Sequence, residues 1–405
     1  MPPVPPNAPY GGARVASLGL LALLMLVPVT LPVTVLRPLV QERFAVSELA
    51  TSLFMSINMI GAFFAAPLAG ALADRWGRRV PLIAAALLAD AVLLYALTLD
   101  ASFSVFLALR FAEGCAHITA LSLLLGLASH ARPPAQRGRV MGLVGGGITL
   151  GVALGAPLGG LLGRDDPMLP LYAGSALVFA ASLCAGVVLR ETGAGEARPD
   201  LSTIFAALRR HRLLAAPLAF AFADRFTVGF YTTTFSLFLS RIHGFDPPRI
   251  GFTIAVFMLP FAACSYPFGR LSERVSRVAM ICAGSAVYGV ATVAVGFCPV
   301  PALPALMVLL GVASAVMFVP SLLITGDAAP PEIRTTAMGA FNAAGSLGFI
   351  AGPLVGGLVS EAIAAEHGWL AGYRSAFGVA GVSELICVAL ALPFLLRLVR
   401  AGRTS

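Results

Sequence analysis

The chain has 405 residues, 58% of them hydrophobic and 11% charged, with a mean hydropathy of +0.90 and a formal net charge of +8. Apolar residues spread over the whole length leave too little polar surface to coat a soluble globule, which excludes the two or three soluble domains that length alone would allow. The positive charge would suit nucleic acid, but its placement at the ends of apolar runs excludes that reading as well.

Residues 1–14, MPPVPPNAPYGGAR, form a Pro-rich stretch expected to be a disordered cytoplasmic N-terminus. Twelve apolar runs follow, each near the roughly 20 residues that a helix needs to cross a bilayer core of about 30 Å. They cover 15–36, 46–72, 80–99, 103–129, 138–163, 169–189, 213–239, 248–269, 278–298, 303–326, 335–360 and 372–396. The first run is too long for the core of a cleaved signal and no small-residue cleavage site follows it, so it is read as a retained span. The fold class is an all-α polytopic membrane protein of twelve transmembrane helices. Two six-helix bundles, 15–189 and 213–396, flank a polar cytoplasmic linker at 190–212, and residues 397–405 form a cytoplasmic tail. Asp200 could cap a short surface helix in the linker.

All 27 basic residues are Arg, and alternate loops collect them. One side holds Arg75, Arg78 and Arg79, then Arg132, Arg137 and Arg139, then Arg209, Arg210 and Arg212, then Arg270, Arg274 and Arg277, and finally Arg397, Arg400 and Arg403. The other side holds Asp100, then Arg164 with Asp165 and Asp166, then Glu361 and Glu366. By the positive-inside rule both termini are cytoplasmic, so the net charge is a topology signal. The six cysteines lie in or beside apolar runs without a CxxC pair, which fits packing and neither disulfides nor a metal site.

The chain repeats itself. PPAQRGRVMG (133–142) matches PPEIRTTAMG (330–339), and GVALGAPLGG (151–160) matches GFIAGPLVGG (348–357) at the same offset. GALADRWGR (70–78) matches GRLSERVSR (269–277), with Glu273 for Asp74, Arg274 for Arg75 and Arg277 for Arg78. Three matches in one order mean that six spans were duplicated. An even number gives parallel repeats about an axis along the membrane normal.

These residues resemble the major facilitator superfamily of secondary transporters, over essentially the whole chain. Gly70, Asp74, Arg75, Gly77, Arg78 and Arg79 fill its signature loop between spans two and three, and Gly269, Glu273, Arg274 and Arg277 form the degraded second copy. Arg110 and Gly114 resemble a second motif in span four. The Gly-Pro motif that marks the antiporters is met by Gly348, Gly352, Pro353, Gly356 and Gly357; in the first copy, Gly151, Gly155, Pro157, Gly159 and Gly160, the proline stands one place late. The pattern is closest to the twelve-span drug:proton antiporters. The resemblance implies alternating access, with Asp74 pairing with Arg78 and facing the start of span eleven, Glu332 to Arg334, as a cytoplasmic latch. It also implies that spans three and twelve are peripheral. The glycines at four-residue spacing in spans five and eleven form ridges for close packing, expected between helices of the two halves.

Ionisable residues inside a bilayer are costly and point to function. Arg110, Glu113 and His117 share one face of span four, and Asp224 with Arg225 sits mid-way along span seven. Burial disfavours the charge on Glu113 and Arg110 favours it, a balance that solvent access from either side can tip, as a proton-coupled cycle needs. Asp90 and Glu384 are also deep. Asn58 and Tyr231, among aromatic, Met and hydroxyl side chains, suggest a cavity for an amphipathic organic molecule.

The expected function is proton-coupled export of a small amphipathic compound, with the proton gradient as driving force and no cofactor. A proton-coupled uptake symporter for a metabolite or sugar is the alternative, and a non-transporting sensor or intramembrane enzyme the remaining class. Nucleotide-binding loops, HExxH and GxSxG are absent, so neither ATP drive nor an enzyme is expected. The expected partners are a small-molecule substrate, protons and the lipid bilayer of the inner membrane, with no nucleic acid, and the chain is expected to be a monomer.

Overall fold

A computed structural model describes residues 12–129, 131, 134–191, 214–329 and 334–400. The described residues are helical, with 13 α-helices and no strand. In chain order these are α1 (Gly12–Thr30), α2 (Glu48–Trp76), α3 (Val80–Ala96), α4 (Phe103–Ser129), α5 (Pro134–Leu162) and α6 (Leu169–Val188). Then come α7 (Ala215–Thr232), α8 (Thr234–His243), α9 (Pro247–Leu271), α10 (Arg277–Val295), α11 (Leu303–Ala328), α12 (Arg334–His367) and α13 (Trp369–Arg400). Among the described residues, ten segments are helical, long and apolar enough to cross a membrane, and α3 is a shorter apolar helix of 17 residues. The expected linker lies almost wholly outside the described residues, as does most of the N-terminal stretch.

The chain divides into two compact units, the first made of residues 1–35 and 57–197 and the second of 36–56 and 198–405. In the first unit α1 lies along α5, and α3 packs on α4 and α6. The α5 ridge makes the α1 contact possible. A Cβ on Gly147 would stand 2.1 Å from the Gly19 carbonyl oxygen, on Gly155 2.3 Å from that of Val27, and on Gly159 2.0 Å from that of Leu31. Non-bonded carbon contacts need roughly 3.5 Å, so no other residue fits without moving a backbone. Hydroxyls tie α6 to α3: Ser175 Oγ donates to the Ala91 carbonyl at 2.7 Å and Ser182 Oγ to that of Ala84 at 2.8 Å.

The second unit repeats the device with α12 on α7. A Cβ on Gly348 would stand 2.4 Å from the Phe222 carbonyl oxygen, on Gly352 2.2 Å from that of Phe226, and on Gly356 2.2 Å from Thr234 Oγ1. Both ridges therefore make these contacts inside a unit, while Gly357, beside the second ridge, meets α2 of the other sequence half, its missing Cβ falling 2.5 Å from Ser52 Oγ. Pro157 and Pro353 sit inside α5 and α12 without ending either helix. Residues 36–56 belong to the second unit and are fastened to α12. Ser56 Oγ donates to the Ile350 carbonyl at 2.8 Å, and the Leu49 amide in the first turn of α2 donates to Glu361 Oε2 at 2.9 Å. That carboxylate serves an amide with no partner inside the helix and meets the positive end of its dipole.

One expected span is broken. The run 213–239 gives α7 and α8, separated at Thr233, whose φ of −129° and ψ of −73° are not helical. Three successive threonines, 232–234, crowd the turn, and Thr232 Oγ1 bonds back to the Gly229 carbonyl at 2.8 Å.

The ridges make a specific prediction. Gly155→Ala destabilises the protein by about 1–3 kcal/mol through overpacking. Gly142→Ala, on the same helix with nothing within 4 Å of the added Cβ, is neutral or gains up to about 1 kcal/mol. Thermal unfolding of the two purified variants in detergent checks the contrast.

Candidate functional site

In the first unit α4 places Arg110, Glu113 and His117 on one face, as their spacing requires. Arg110 Nη1 donates to Glu113 Oε2 at 2.8 Å, with the two side chains 2% and 6% exposed. Asn58 Nδ2 of α2 donates to the same oxygen. Asn58 reaches it because α4 has no side chain at Gly114, where a Cβ would stand 2.1 Å from the Asn58 carbonyl oxygen. Gly61 repeats the approach one turn along α2, its missing Cβ falling 2.3 Å from the Phe111 carbonyl oxygen. On the other side His117 Nδ1 lies 2.9 Å from Asp90 Oδ2 of α3. Asp90 has no exposed surface and faces the interior, from a helix whose opposite face leaves Leu88, Val92 and Tyr95 exposed. One ligand atom each of Asp90, Glu113 and His117 falls within 4.8 Å of the others. A sequence reading sees Asp90 as a deep acid but has no means of pairing it with His117.

In the second unit Asp224 and Arg225 are adjacent on α7 yet point to different surroundings. Arg225 Nη1 is 3.5 Å from Asp224 Oδ2, and its guanidinium carbon lies 4.4 Å from the Phe318 ring centre and 5.4 Å from that of Phe349. Such cation–π contacts suit a charge at a half-buried site. Thr227, nearly one turn after Asp224, bonds to the fully buried Glu384 of α13 at 3.4 Å. Neither Asp224 oxygen has a hydrogen-bond partner among the described residues, nor has Glu384 Oε2. Two buried carboxylates with one nearby guanidinium need a proton or another cation between them. Tyr231 is used in packing: it stacks on Phe257 at 5.5 Å and its hydroxyl meets Thr292 Oγ1 at 3.2 Å. Asn58 is likewise buried and committed to Glu113.

The two copies of the signature loop differ in construction. In the first, Gly77 takes a φ of +63°, closing α2 with a left-handed residue that favours glycine. Arg75 and Arg78 are exposed, while Arg79 is buried. Glu191 caps α3 by accepting from the amides of Arg79 at 3.0 Å and Val80 at 2.9 Å. The surroundings of Gly70, the Asp74 side chain and all of residues 330–333 lie outside the described residues, so the expected latch contact does too. In the second copy Ser276 stands for Gly77 with a φ of −53° and caps α10 through the Ala279 amide, so no left-handed turn is needed. Glu273 and Arg274 are exposed. Arg277 pairs with Asp327 at the end of α11, a partner the repeat alignment did not supply.

The second unit also carries a polar cleft of about 370 Å³ lined in part by Arg37, Glu48, Arg241, Glu361 and Trp369. Glu48 is 1% exposed and accepts from Tyr373 Oη and, at 3.1 Å, from Gln41 Nε2, with Arg241 Nη2 at 3.3 Å. Arg241 lies 3.8 Å over the Trp369 ring and donates to Gln41 Oε1 at 2.9 Å. The cluster knits residues 36–56 to α8 and α13. Nothing in its sequence spacing announces it, because its members come from four separate segments.

Comparison with known proteins agrees with this architecture. The family model for the Major Facilitator Superfamily matches residues 18–232 and 217–404. No curated protein matches the chain. A solved bacterial homologue of the human lysosomal transporter Spinster, inward-facing and occupied, superposes with a TM-score of 0.84 at 16% identity, covering 98% of this chain and 99% of that one. A point mutant of the nucleoside transporter NupG gives 0.81 at 15% identity over 94% and 99% of the two chains. A D-xylose-proton symporter gives 0.71 at 15% identity over 92% and 95%. At such identities the superpositions show the fold alone. With both halves of its length matched by the family model, the chain belongs to the Major Facilitator Superfamily and is a secondary transporter, not an enzyme.

Proposed function

We propose that the protein exports a small amphipathic organic compound by alternating access, driven by protons. The observation that carries this reading is the buried centre on α4, where Arg110, Glu113 and Asn58 meet beside His117 and Asp90. Five polar side chains gathered within one bundle are expensive in a membrane protein that merely needs to fold. A centre holding two carboxylates, one guanidinium and one imidazole can gain and lose a proton as its access to water changes. The complete Gly-Pro motif at Gly348 to Gly357 supports the antiport direction, and the signature loop around Asp74 serves as the cytoplasmic latch of the cycle. One observation favours uptake by symport: Pro157 departs from the antiporter pattern in the first copy.

Liposomes containing the purified protein and a pH-sensitive dye separate the two directions. Ethidium added to acid-loaded vesicles accumulates and alkalinises the lumen if the reading holds. Proton movement in the same direction as D-xylose or uridine, with none for ethidium, replaces export by symport.

Within that assay Glu113→Gln abolishes gradient-driven accumulation, while exchange of labelled for unlabelled ethidium persists. Arg110→Ala is worse. It leaves a buried carboxylate without its cation, costing about 3–5 kcal/mol of stability as well as coupling, read by thermal unfolding beside the flux.

Asp74→Asn lowers flux without reducing membrane insertion, and Glu273→Gln has a milder effect. Equal loss in both would make the two loops equivalent.

A further inference from the structure

The coupling centre of the first unit contains an acid that the signature motifs do not include. Asp90 is fully buried and meets His117 Nδ1 at 2.9 Å. Asp90 Oδ1 and His117 Nε2 are both buried with no hydrogen-bond partner among the described residues. Glu113 is differently placed, since Arg110 and Asn58 both donate to it. Both donors meet Oε2, and donors aimed at a carboxyl oxygen favour its charged form.

Charge then decides where a mobile proton resides. The charged groups acting on His117 are Asp90 from α3 and Glu113 and Arg110 from α4. From α2 comes the uncharged Asn58, and α6 holds α3 through the hydroxyls of Ser175 and Ser182. On α1 and α5, which also pack on α4, the described charged side chain is Arg139, exposed near the start of α5. With a neutral imidazole the centre holds two carboxylates against one guanidinium, and an uncompensated buried charge is strongly destabilising. One proton on His117 makes the centre neutral. A divalent metal ion on the same three side chains would overshoot to a positive charge, and Arg110 already occupies Glu113 Oε2.

We propose that the Asp90–His117 pair carries the coupling proton and that Glu113 is a fixed counter-charge held by Arg110 and Asn58. The inference rests on the proton-coupled reading and assigns its carrier. The imidazolium releases the proton on Nε2, the nitrogen without a protein partner, to water on one side of the membrane. It regains a proton from water on the other side, while the Nδ1–H stays on Asp90. Only the Nε2–H bond breaks and re-forms.

The test uses the full chain in lipid nanodiscs with no substrate. In ¹⁵N-histidine spectra at about pH 7, the His117 signal, assigned by its loss in His117→Gln, is that of an imidazolium. Asp90→Asn converts it to neutral imidazole, and Asp90→Glu, which keeps the charge, preserves it should the asparagine variant fail to fold. Between about pH 9 and pH 5 a soluble dye reports roughly one proton fewer taken up per His117→Gln molecule than per unaltered molecule. Infrared spectra show no protonated carboxyl band that Glu113→Gln removes. A neutral His117 together with such a band makes Glu113 the carrier and overturns the proposal. So does stoichiometric displacement of the His117 proton by micromolar Zn²⁺, which marks a metal site. Because no flux is measured, these failures are separate from failure of the liposome assay, which would overturn proton-coupled transport itself.

Discussion

The missing side chain at Gly114 lets α4 lie directly against the backbone of α2, and the centre of the first unit depends on that contact. With any Cβ there, the Asn58 carbonyl would be struck at 2.1 Å and the two helices would separate. Asn58 would then lose Glu113, and the Arg110–Glu113 pair would lose one of the donors that let it remain charged in a dry interior. Close backbone approach is thus the means by which a short amide is brought to a buried carboxylate. The same principle recurs where α5 meets α1 and where α12 meets α7, but there it builds the bundles and not a site.

Both units bury acid, and they handle it differently. In the first, each charged group has a partner of opposite sign or one that can acquire it, and the whole centre balances with one added proton. In the second, Asp224 and Glu384 share the neighbourhood of the Thr227 and Ser285 hydroxyls and one guanidinium, and three of their oxygens lack hydrogen-bond partners among the described residues. The duplication did not copy either arrangement. Asp90, Glu113 and His117 occupy the first half only, and the aromatic packing around Tyr231 fills the second.

The inner loops diverged along a similar line. Gly77 closes its helix with a left-handed residue, whereas Ser276, at the matching position, opens one with a side-chain cap. Arg277 then takes Asp327 as its partner. On residues 36–56, Glu48 meets Tyr373, Gln41 and Arg241, and this polar cluster, unlike the glycine ridges, has no counterpart in the repeat.

Much of this was legible in the sequence. Apolar run length reports helix positions because a bilayer fixes the length of a span. Repeated Gly spacing reports ridges because a helix presents every fourth residue on one side. Arg110, Glu113 and His117 could be grouped because they share one helix, where 100° per residue sets their bearing. What sequence could not supply is any partner on another helix. Asp90 lies 27 positions from His117, Asn58 55 from Glu113, and Glu384 157 from Thr227. Such pairs follow from which helices touch and at what height, which depends on where each glycine lets a neighbour in. The break at Thr233 and the direction of the ridges were hidden for the same reason: apolar composition says that a segment is buried, while only packing says against what.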